Sequence, residues 1–290
     1  MKQFLFILLC IVGSLRASGQ ATPMQWRHSN LVLFAGQFSE VDSSIIRGGW
    51  KGVYADVALF RSADEAFNLG LWGLYSRPKW ENTEDKFKST AHEVAFGLTG
   101  GYYDDIVGFV HALYIGGAIG YKHISEKGIW QSATRDQSLQ NDDLVIGILN
   151  LNLLKHDYGM TRWLPRTQLI ITHQAPQKSA RETIINKKRT ETAPWDKTST
   201  DILFKQSIYD IPLSYELFLQ PKIGFQYSRY SGPDAKAWII EAGIRKIYAD
   251  DFFTLSYMAK KDIPEKPGYQ PRTLHFLMGS VNLIALFKKY

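Results

Sequence analysis

The residues with the clearest catalytic spacing are a histidine and a serine that flank a single isoleucine, His123-Ile124-Ser125. An Asn-Asp-Asp run follows at 141–143. A serine nucleophile needs a base within hydrogen-bond reach, and the base needs a third group that orients it. This spacing makes hydrolysis by a serine nucleophile one hypothesis, which requires the fold to bring a third group to the histidine.

The other polar side chains with catalytic potential are better explained by structural roles. His92 and His111 occupy alternating apolar stretches, where a structural or interfacial histidine is expected. Asp104 and Asp105 fall in a short turn, where acidic residues suit the turn geometry. The sequence has no glycine-rich phosphate-binding loop and no His-Glu-x-x-His zinc motif. We therefore expect no cofactor and no metal site.

The chain begins with the features of a secretory signal peptide. A basic residue and a short apolar run are followed by Ala-Ser-Gly at 17–19. The run is shorter than the ~20 apolar residues of a membrane-spanning helix, and an uncleaved anchor is the alternative. We assign residues 1–19 to the signal peptide and 20–290 to a single mature domain. Cys10, the single cysteine, would leave with the signal peptide, so no disulfide or thiolate metal site is expected.

Composition narrows the class of protein. The formal net charge of +6 falls to about +4 once the two basic residues of the signal peptide are removed. This mild excess is weak evidence for nucleic acid, which we do not expect as a partner, but it suits anionic lipid headgroups. Beyond the signal peptide no segment reaches the ~18 consecutive apolar residues of a membrane helix. Such an exported chain is either soluble or crosses a membrane as a β-barrel.

Long apolar alternation favours the β-barrel. In 215–227 an apolar row at odd positions opposes a mixed polar row at even positions. A strand with one apolar face has a period of two, and a tilted membrane strand needs about 9–11 residues. The pattern predicts strands at about 30–38, 50–61, 66–76, 89–99, 106–123, 142–155, 160–173, 202–210, 214–229, 235–248, 251–261 and 272–289.

The gaps between these segments alternate between short and long. Outer-membrane barrels have short periplasmic turns and long extracellular loops. The sequence therefore predicts an all-β, antiparallel transmembrane β-barrel of about 12 strands, within a range of roughly 10–14. The longest loops, 124–141 and 174–201, are the expected contact sites for a small solute or a protein partner.

Two hairpins give the predicted strand pairing a definite register. Pairing Val57 with Leu69 in the first hairpin, and Leu98 with Phe109 in the second, keeps apolar side chains on one face. A slip of one residue would mix the two faces, so consistent sorting supports the assignment.

The last predicted strand, 272–289, must pair with the first to remove the open sheet edges. The final residue, Tyr290, resembles the C-terminal aromatic of bacterial outer-membrane β-barrel proteins. That resemblance implies insertion into the outer membrane by the barrel-assembly machinery, and contact with outer-membrane lipid and lipopolysaccharide. The signal peptide and the Tyr- and Lys-rich composition are similar in style to outer-membrane proteins of Bacteroidota.

Outer-membrane phospholipase A, a twelve-stranded barrel, is similar in having a His-x-Ser pair and an asparagine on its outer wall. By that resemblance His123 would be the base, Ser125 the nucleophile and Asn141 the group that orients the base. The flanking residues differ, since Glu126 and Lys127 follow the serine here and Asn141 comes too late in the chain. A hydrolase is therefore the weaker alternative, and a protein without enzymatic activity is preferred.

The face opposite the apolar rows is predicted to line the barrel lumen. A barrel of about 12 strands lies between the 8-strand kind, filled by side chains, and the 16-strand kind with an aqueous channel. Mixed charges would either set a field for small solutes or pair with one another and fill the barrel. We accordingly predict a small-solute channel or a surface barrel with partner-binding loops, with a subunit of an export or surface-assembly machine as the alternative. The predicted lumen-lining residues are Asp56, Asn68, Glu93, Asn150, Asn152, Arg166, Gln168, Glu216, Gln220, Lys222, Gln226, Glu241, Arg245, Lys260, Ser280 and Asn282.

Overall fold

The computed structural model consists almost entirely of β-strands. It describes residues 30–40, 46–62, 66–84, 86–104, 112–130, 135–154, 166–185, 188–192, 198–230, 234–246, 251–263 and 272–287. The predicted signal peptide lies outside these residues. The strands are β1 (Asn30–Glu40), β2 (Ile46–Arg61), β3 (Phe67–Ser76), β4 (Lys79–Asn82), β5 (Phe87–Asp104), β6 (Ala112–Trp130), β7 (Arg135–Leu154), β8 (Arg166–Ile185), β9 (Lys188–Thr192), β10 (Ser199–Ser207), β11 (Ile211–Pro212), β12 (Leu217–Tyr230), β13 (Ala235–Lys246), β14 (Asp251–Asp262) and β15 (Thr273–Asn282), and one helix follows, α1 (Leu283–Phe287).

Twelve of these strands form one closed antiparallel barrel. β1 pairs with β2 along one side and with β15 along the other. The order around the wall is β1-β2-β3-β5-β6-β7-β8-β10-β12-β13-β14-β15, while β4, β9 and β11 pair with the ends of these strands. Closure satisfies the backbone hydrogen bonds that the first and last strands would otherwise leave unpaired. The predicted all-β barrel of twelve strands is confirmed.

Side chains alternate between an exposed, apolar outer face and a buried inner face. In β12, Ile223 is exposed whereas Lys222 and Gln226 are buried. An outer surface of large apolar side chains is unfavourable in water and favourable against lipid, so this band is the wall expected to face a membrane. Strands β3 and β5 contribute Leu69, Leu71, Val94, Phe96 and Leu98 to it.

Four neighbouring strands are longer than a membrane requires. β5, β6, β7 and β8 contain 18, 19, 20 and 20 residues, whereas a tilted membrane strand needs about 9–11. The segments 124–141 and 174–201, expected as loops, are therefore largely strand: β6 reaches Trp130, β7 starts at Arg135, and β8 to β10 occupy most of the second segment. Backbone pairing does not require apolar side chains, so these strands continue beyond the point where apolar periodicity ends.

In both predicted hairpins the apolar side chains face outward as predicted, but the strands pair in a different register. Val57 pairs with Leu71, and Leu98 pairs with Ile119, which are two and ten residues from the expected partners. The first hairpin has a longer turn than expected, with Arg61 paired to Asn68, and a one-residue β-bulge at Leu59 offsets part of that displacement. The late start of β6 displaces the second hairpin. Both shifts are even, so the apolar side chains stay on the outer face.

The closing strand is shorter than predicted. β15 ends at Asn282, whose side-chain oxygen accepts a hydrogen bond from the backbone N–H of Ala285 at 3.2 Å. This is an N-cap arrangement, and it starts α1 where the strand was expected to continue to residue 289. Ala285 is buried, so the outward apolar row stops there. Tyr290, the predicted assembly signal, lies outside the described residues.

Candidate functional site in the barrel interior and at its outer rim

Most of the predicted lumen-lining residues point into the barrel. Glu216 does not, because it lies in the exposed turn that precedes β12. The side chains of Asn150 and Asn152 lie outside the described part of the structure. Whether the others line a conducting lumen stays a prediction. Asn68, Arg166, Gln168 and Arg245 are partly buried, and Asp56, Glu93, Gln220, Lys222, Gln226, Glu241, Lys260, Ser280 and Asn282 are buried.

A carboxylate held between two lysines is the centre of the largest charged cluster. Glu241 of β13 lies 2.6 Å from Lys205 Nζ and 2.9 Å from Lys222 Nζ, each on a different carboxylate oxygen. Ser256 Oγ donates a further hydrogen bond at 2.8 Å, and Lys222 also pairs with Asp251. Four strands, β10, β12, β13 and β14, are therefore tied together by buried charges, which are stable only when paired in this way.

A second cluster lies across the barrel on β5 to β8. Lys122 Nζ donates to Gln174 Oε1 at 2.7 Å and lies 3.2 Å from Asp143 Oδ2. Glu93 is 3.8 Å from the same ammonium and accepts a hydrogen bond from Ser76 Oγ at 2.8 Å. Two carboxylates therefore compensate one buried lysine.

A third cluster joins the first strand to the last. Asp56 Oδ1 accepts from the Asn30 backbone N–H at 2.8 Å, and Tyr54 donates to its other oxygen at 3.0 Å. The Asn282 side-chain amide donates to Asn30 Oδ1 at 2.7 Å. The seam where the barrel closes is thus held by side chains as well as by the backbone ladder.

The rest of the interior is aromatic, which the sequence analysis missed. Phe38, Trp50 and Phe276 have ring centroids 5.6–6.2 Å apart. On β5 and β6, Gly101 and Gly116 leave space for the buried Tyr114, since a Cβ at either would lie within 2.5 Å of its ring or hydroxyl oxygen. The signal was available, because aromatic residues recur at inward-facing positions of the first strands: Phe34, Phe38, Trp50, Tyr54, Trp72, Trp80 and Phe87.

These clusters and rings fill the interior. Lys122 is 2% exposed, and Gln220 and Lys260 are each 1% exposed. Lysines that lined a water-filled channel would be accessible to solvent, so inward-facing side chains that are this buried indicate a packed interior. Packing by side chains is normal for barrels of about 8 strands and extends here to twelve.

Histidines mark one edge of the outer apolar band. One histidine stands at the end of the outward apolar row in each of four strands, and all four lie toward the same end of the barrel: His92, His123, His173 and His275. Their Nδ1 atoms lie within hydrogen-bond distance of Tyr75 Oη (3.0 Å), Asp142 Oδ1 (2.6 Å), Thr200 Oγ1 (3.0 Å) and Tyr257 Oη (2.8 Å), respectively. Two of the four pairs join a tyrosine to a histidine, and aromatic side chains of this kind are favoured at the interface between apolar chains and polar headgroups.

The predicted catalytic residues His123, Ser125 and Asn141 lie on β6 and β7, and their catalytic role stays a prediction. His123 takes Asp142 as its partner, and the backbone of Asn141 pairs instead with Ile124, one position along the ladder. Asn141 therefore does not lie opposite the histidine in the backbone ladder, and its side chain is outside the described part of the structure. Within the described part of the chain no hydrogen bond joins Ser125 to His123. The histidine is a member of the rim described above.

Metal sites and membrane-spanning helices are both absent from the described residues. No group of three or more His, Cys, Asp or Glu side chains there is placed to hold a metal ion. No helix in the same residues is long and apolar enough to cross a membrane.

Comparison with known proteins supports the fold alone. No protein-family model and no curated protein matches the chain. The barrel is similar to the translocator domain of the autotransporter NalP from Neisseria meningitidis, with a TM-score of 0.59, 9% identity and 97% of each chain covered. It is also similar to the transport unit of the autotransporter AIDA-I from Escherichia coli, with a TM-score of 0.51 and 12% identity over 90% of this chain and 91% of the other. The chain therefore has the fold of an outer-membrane β-barrel.

Proposed function

We propose that this protein is an outer-membrane surface barrel, closed inside, that binds a partner through an extended sheet above the membrane. The observation that carries the proposal is the length of β5 to β8, at 18 to 20 residues each. A membrane strand uses about 9–11 residues. Beyond the histidines at the edge of the apolar band, β5, β6 and β8 continue for 5, 7 and 12 residues. At roughly 3.3 Å rise per residue and a tilt near 45°, these residues extend the wall by roughly 10–30 Å.

The extension lies at the end of the barrel marked by the histidine rim. Beyond His92, His123 and His173 the strands β5, β6 and β8 continue, and β4 and β9 add short strands to the same sheet. Ile129, in this extension, is 58% exposed. An ordered sheet with exposed side chains outside lipid offers a preformed surface, which reduces the ordering cost of binding a partner.

The extended end should face the cell exterior, and the turn before β12 should face the periplasm. We expect an impermeant thiol reagent to label Glu84→Cys in intact cells and to leave Glu216→Cys unlabelled. Both glutamates are exposed, and they lie at opposite ends of the barrel. The substitutions are identical, so labelling reports position. Labelling of Glu216→Cys alone would show that the barrel is inverted, and equal labelling of both would contradict a membrane barrier between them.

The packed interior should not conduct ions. In planar bilayers we expect no steady conductance from the unmodified protein, because the buried lysine–carboxylate clusters leave their side chains almost inaccessible to water. Protection of Glu216→Cys from an impermeant thiol reagent in liposomes of the same lipid would confirm insertion. A steady, reproducible conductance would contradict the closed interior and favour the small-solute channel instead.

The route of this protein to the outer membrane is a further part of the proposal. We propose that residues 1–19 direct export and that Tyr290 is recognised by the barrel-assembly machinery. The names of the two similar structures refer to translocation and transport, and a role as a subunit of an export or surface-assembly machine is the alternative function. Copurification of a fixed set of export proteins with the intact barrel, retained when the exposed extension is altered, would favour that alternative.

A further inference from the structure

The outer wall contains a cavity of about 600 Å³ at the level of the histidine rim. It spans β14, β15, β1, β2, β4 and β5, and Gln37, Arg47, Lys79, Lys88, Tyr257 and Leu277 are among its lining residues. Pro78 lies between β3 and β4, and both strands pair with β2 and β5 in one continuous register. A cavity of this size is large enough for a small ligand or a lipid headgroup.

The upper part of the cavity is basic. Arg47, Lys79 and Lys88 line it, and Glu81 is the single carboxylate among its lining residues. The negative charge of Glu81 is already compensated, because Arg47 donates to one of its oxygens and Lys88 Nζ lies 3.5 Å from the other. The hydrogen bond from Arg47 holds the pKa of Glu81 below its ordinary value, so this carboxylate stays ionised and paired. Lys79 forms no salt bridge within the described residues.

Two further cations lie next to the cavity. The backbone N–H of Arg77 donates to the carbonyl of Lys51 at 2.8 Å, which makes these residues cross-strand neighbours. Arg77 Nε is buried without a hydrogen-bond partner in the described part of the chain. Like charges on adjacent strands repel. A bound anion would remove that repulsion and supply acceptors for the unpaired donors.

The lower part of the cavity reaches the membrane-facing wall at Leu277, whose cross-strand neighbour Gln37 also lines the cavity. Leu277 is exposed below the Tyr257–His275 hydrogen bond, at 2.8 Å, which belongs to the rim. A ligand in the cavity would therefore meet cations above the rim and a hydrocarbon surface below it. A soluble anion would pair with the cations above the rim but would make no contact with the hydrocarbon surface below it.

We propose that this cavity binds the phosphate-bearing headgroup of an outer-leaflet lipid of the lipopolysaccharide type, with its acyl chains along the wall at Leu277. The proposal rests on the orientation given under the proposed function. Lysines and arginines beside a membrane attract anionic headgroups, and the geometry places three of them, Arg47, Lys79 and Lys88, in the lining of one cavity against the paired carboxylate of Glu81.

The test uses the full mature barrel, folded in detergent micelles and titrated with bisphosphorylated lipid A, with the same lipid stripped of phosphate, and with inorganic phosphate. The pocket variant is Lys79→Gln with Lys88→Gln. The matched control is Lys236→Gln with Lys261→Gln, two exposed lysines that face each other on β13 and β14, outside the cavity. At about 1 kcal/mol per lysine near an anionic headgroup, we expect the Kd for lipid A to rise about thirtyfold in the pocket variant. The control should change it by less than about threefold.

Three results would overturn the proposal. Equal losses in the two double variants would mean that lipid A senses only the general basic rim. Equal binding of the dephosphorylated lipid would remove the role of phosphate, and displacement of lipid A by inorganic phosphate at matched concentration would show a site for the free anion. Micelle binding does not depend on orientation in the cell, so a failed cysteine-labelling experiment would reject the topology and leave this measurement interpretable.

Discussion

Ile240→Arg should destabilise the folded barrel in lipid by about 2–4 kcal/mol. Ile240 lies on the outer face of β13 between Trp238 and Ala242, in the middle of the apolar band, and it is 63% exposed. An arginine there would place a charge near the centre of the bilayer, beyond easy reach of the headgroups. The measurement is the free energy of unfolding in liposomes, from reversible denaturant titration of the refolded protein.

Ile129→Arg is the matched control for this change. Ile129 is 58% exposed, so the two isoleucines differ little in exposure, but it lies on the extension of β6 beyond His123. Surface substitutions outside lipid usually change stability by about 0.5 kcal/mol or less, and we expect that here. Equal effects of the two substitutions would mean that neither position contacts lipid, which would contradict the membrane assignment of the band.

Glu241→Ala should cost about 3–5 kcal/mol of folding stability. The substitution leaves Lys205 and Lys222 buried without the carboxylate that lies 2.6 and 2.9 Å from their ammonium nitrogens. Asp251 still compensates Lys222, so Lys205 contributes most of the loss. Chemical denaturation in the same liposomes measures the change.

Glu81→Ala is the corresponding control, because Glu81 also bridges two cations, Arg47 and Lys88. This triad is on the outer surface, where solvent screens the charges, and we expect a loss of about 1 kcal/mol or less. A restored stability in the double variant Glu241→Ala with Lys205→Met would attribute the cost to the unpaired lysine. A small effect of Glu241→Ala would show that water enters the interior and screens the cluster.

Period-two alternation predicted the strands because the outer face, toward lipid, carries apolar side chains, whereas the packed interior holds polar and charged ones. The row from Tyr215 to Tyr227 in the sequence is the outer face of β12, apart from the turn before Leu217. Alternation has no information about the partner strand, so the pairings of Val57 and Leu98 came out two and ten residues away. Neither the bulge at Leu59 nor the late start of β6 leaves a periodic signal.

The extension was missed for a different reason. Segments such as 135–141 carry polar residues on both faces, and such a pattern is typical of a loop unless a neighbouring strand is known to pair with it. Here β7 pairs with β6 and β8 along nearly its full length. Nonlocal backbone pairing therefore determines the structure of this region, and a single sequence does not show it.

For the candidate site, the sequence predicted which way single side chains face. It did not predict which of them come into contact. Parity along each strand placed Glu241 and Lys222 on the inner face, where both are buried. It did not show that Lys205 would join them, because that contact depends on how three neighbouring strands are staggered. The serine hypothesis stays a prediction, and the stagger of β6 and β7 gives its proposed base, His123, the partner Asp142.

The seam between β1 and β15 constrains the order in which the barrel can fold. Its hydrogen bond from Asn282 to Asn30 joins residues 252 positions apart, so the contact that completes the wall cannot form until both of these distant strands are available to pair. Contacts this distant in sequence make folding slow. Until they form, β1 and β15 both present unpaired edges, the surfaces through which β-proteins aggregate. Closing the seam therefore removes both edges at once and ends this exposure.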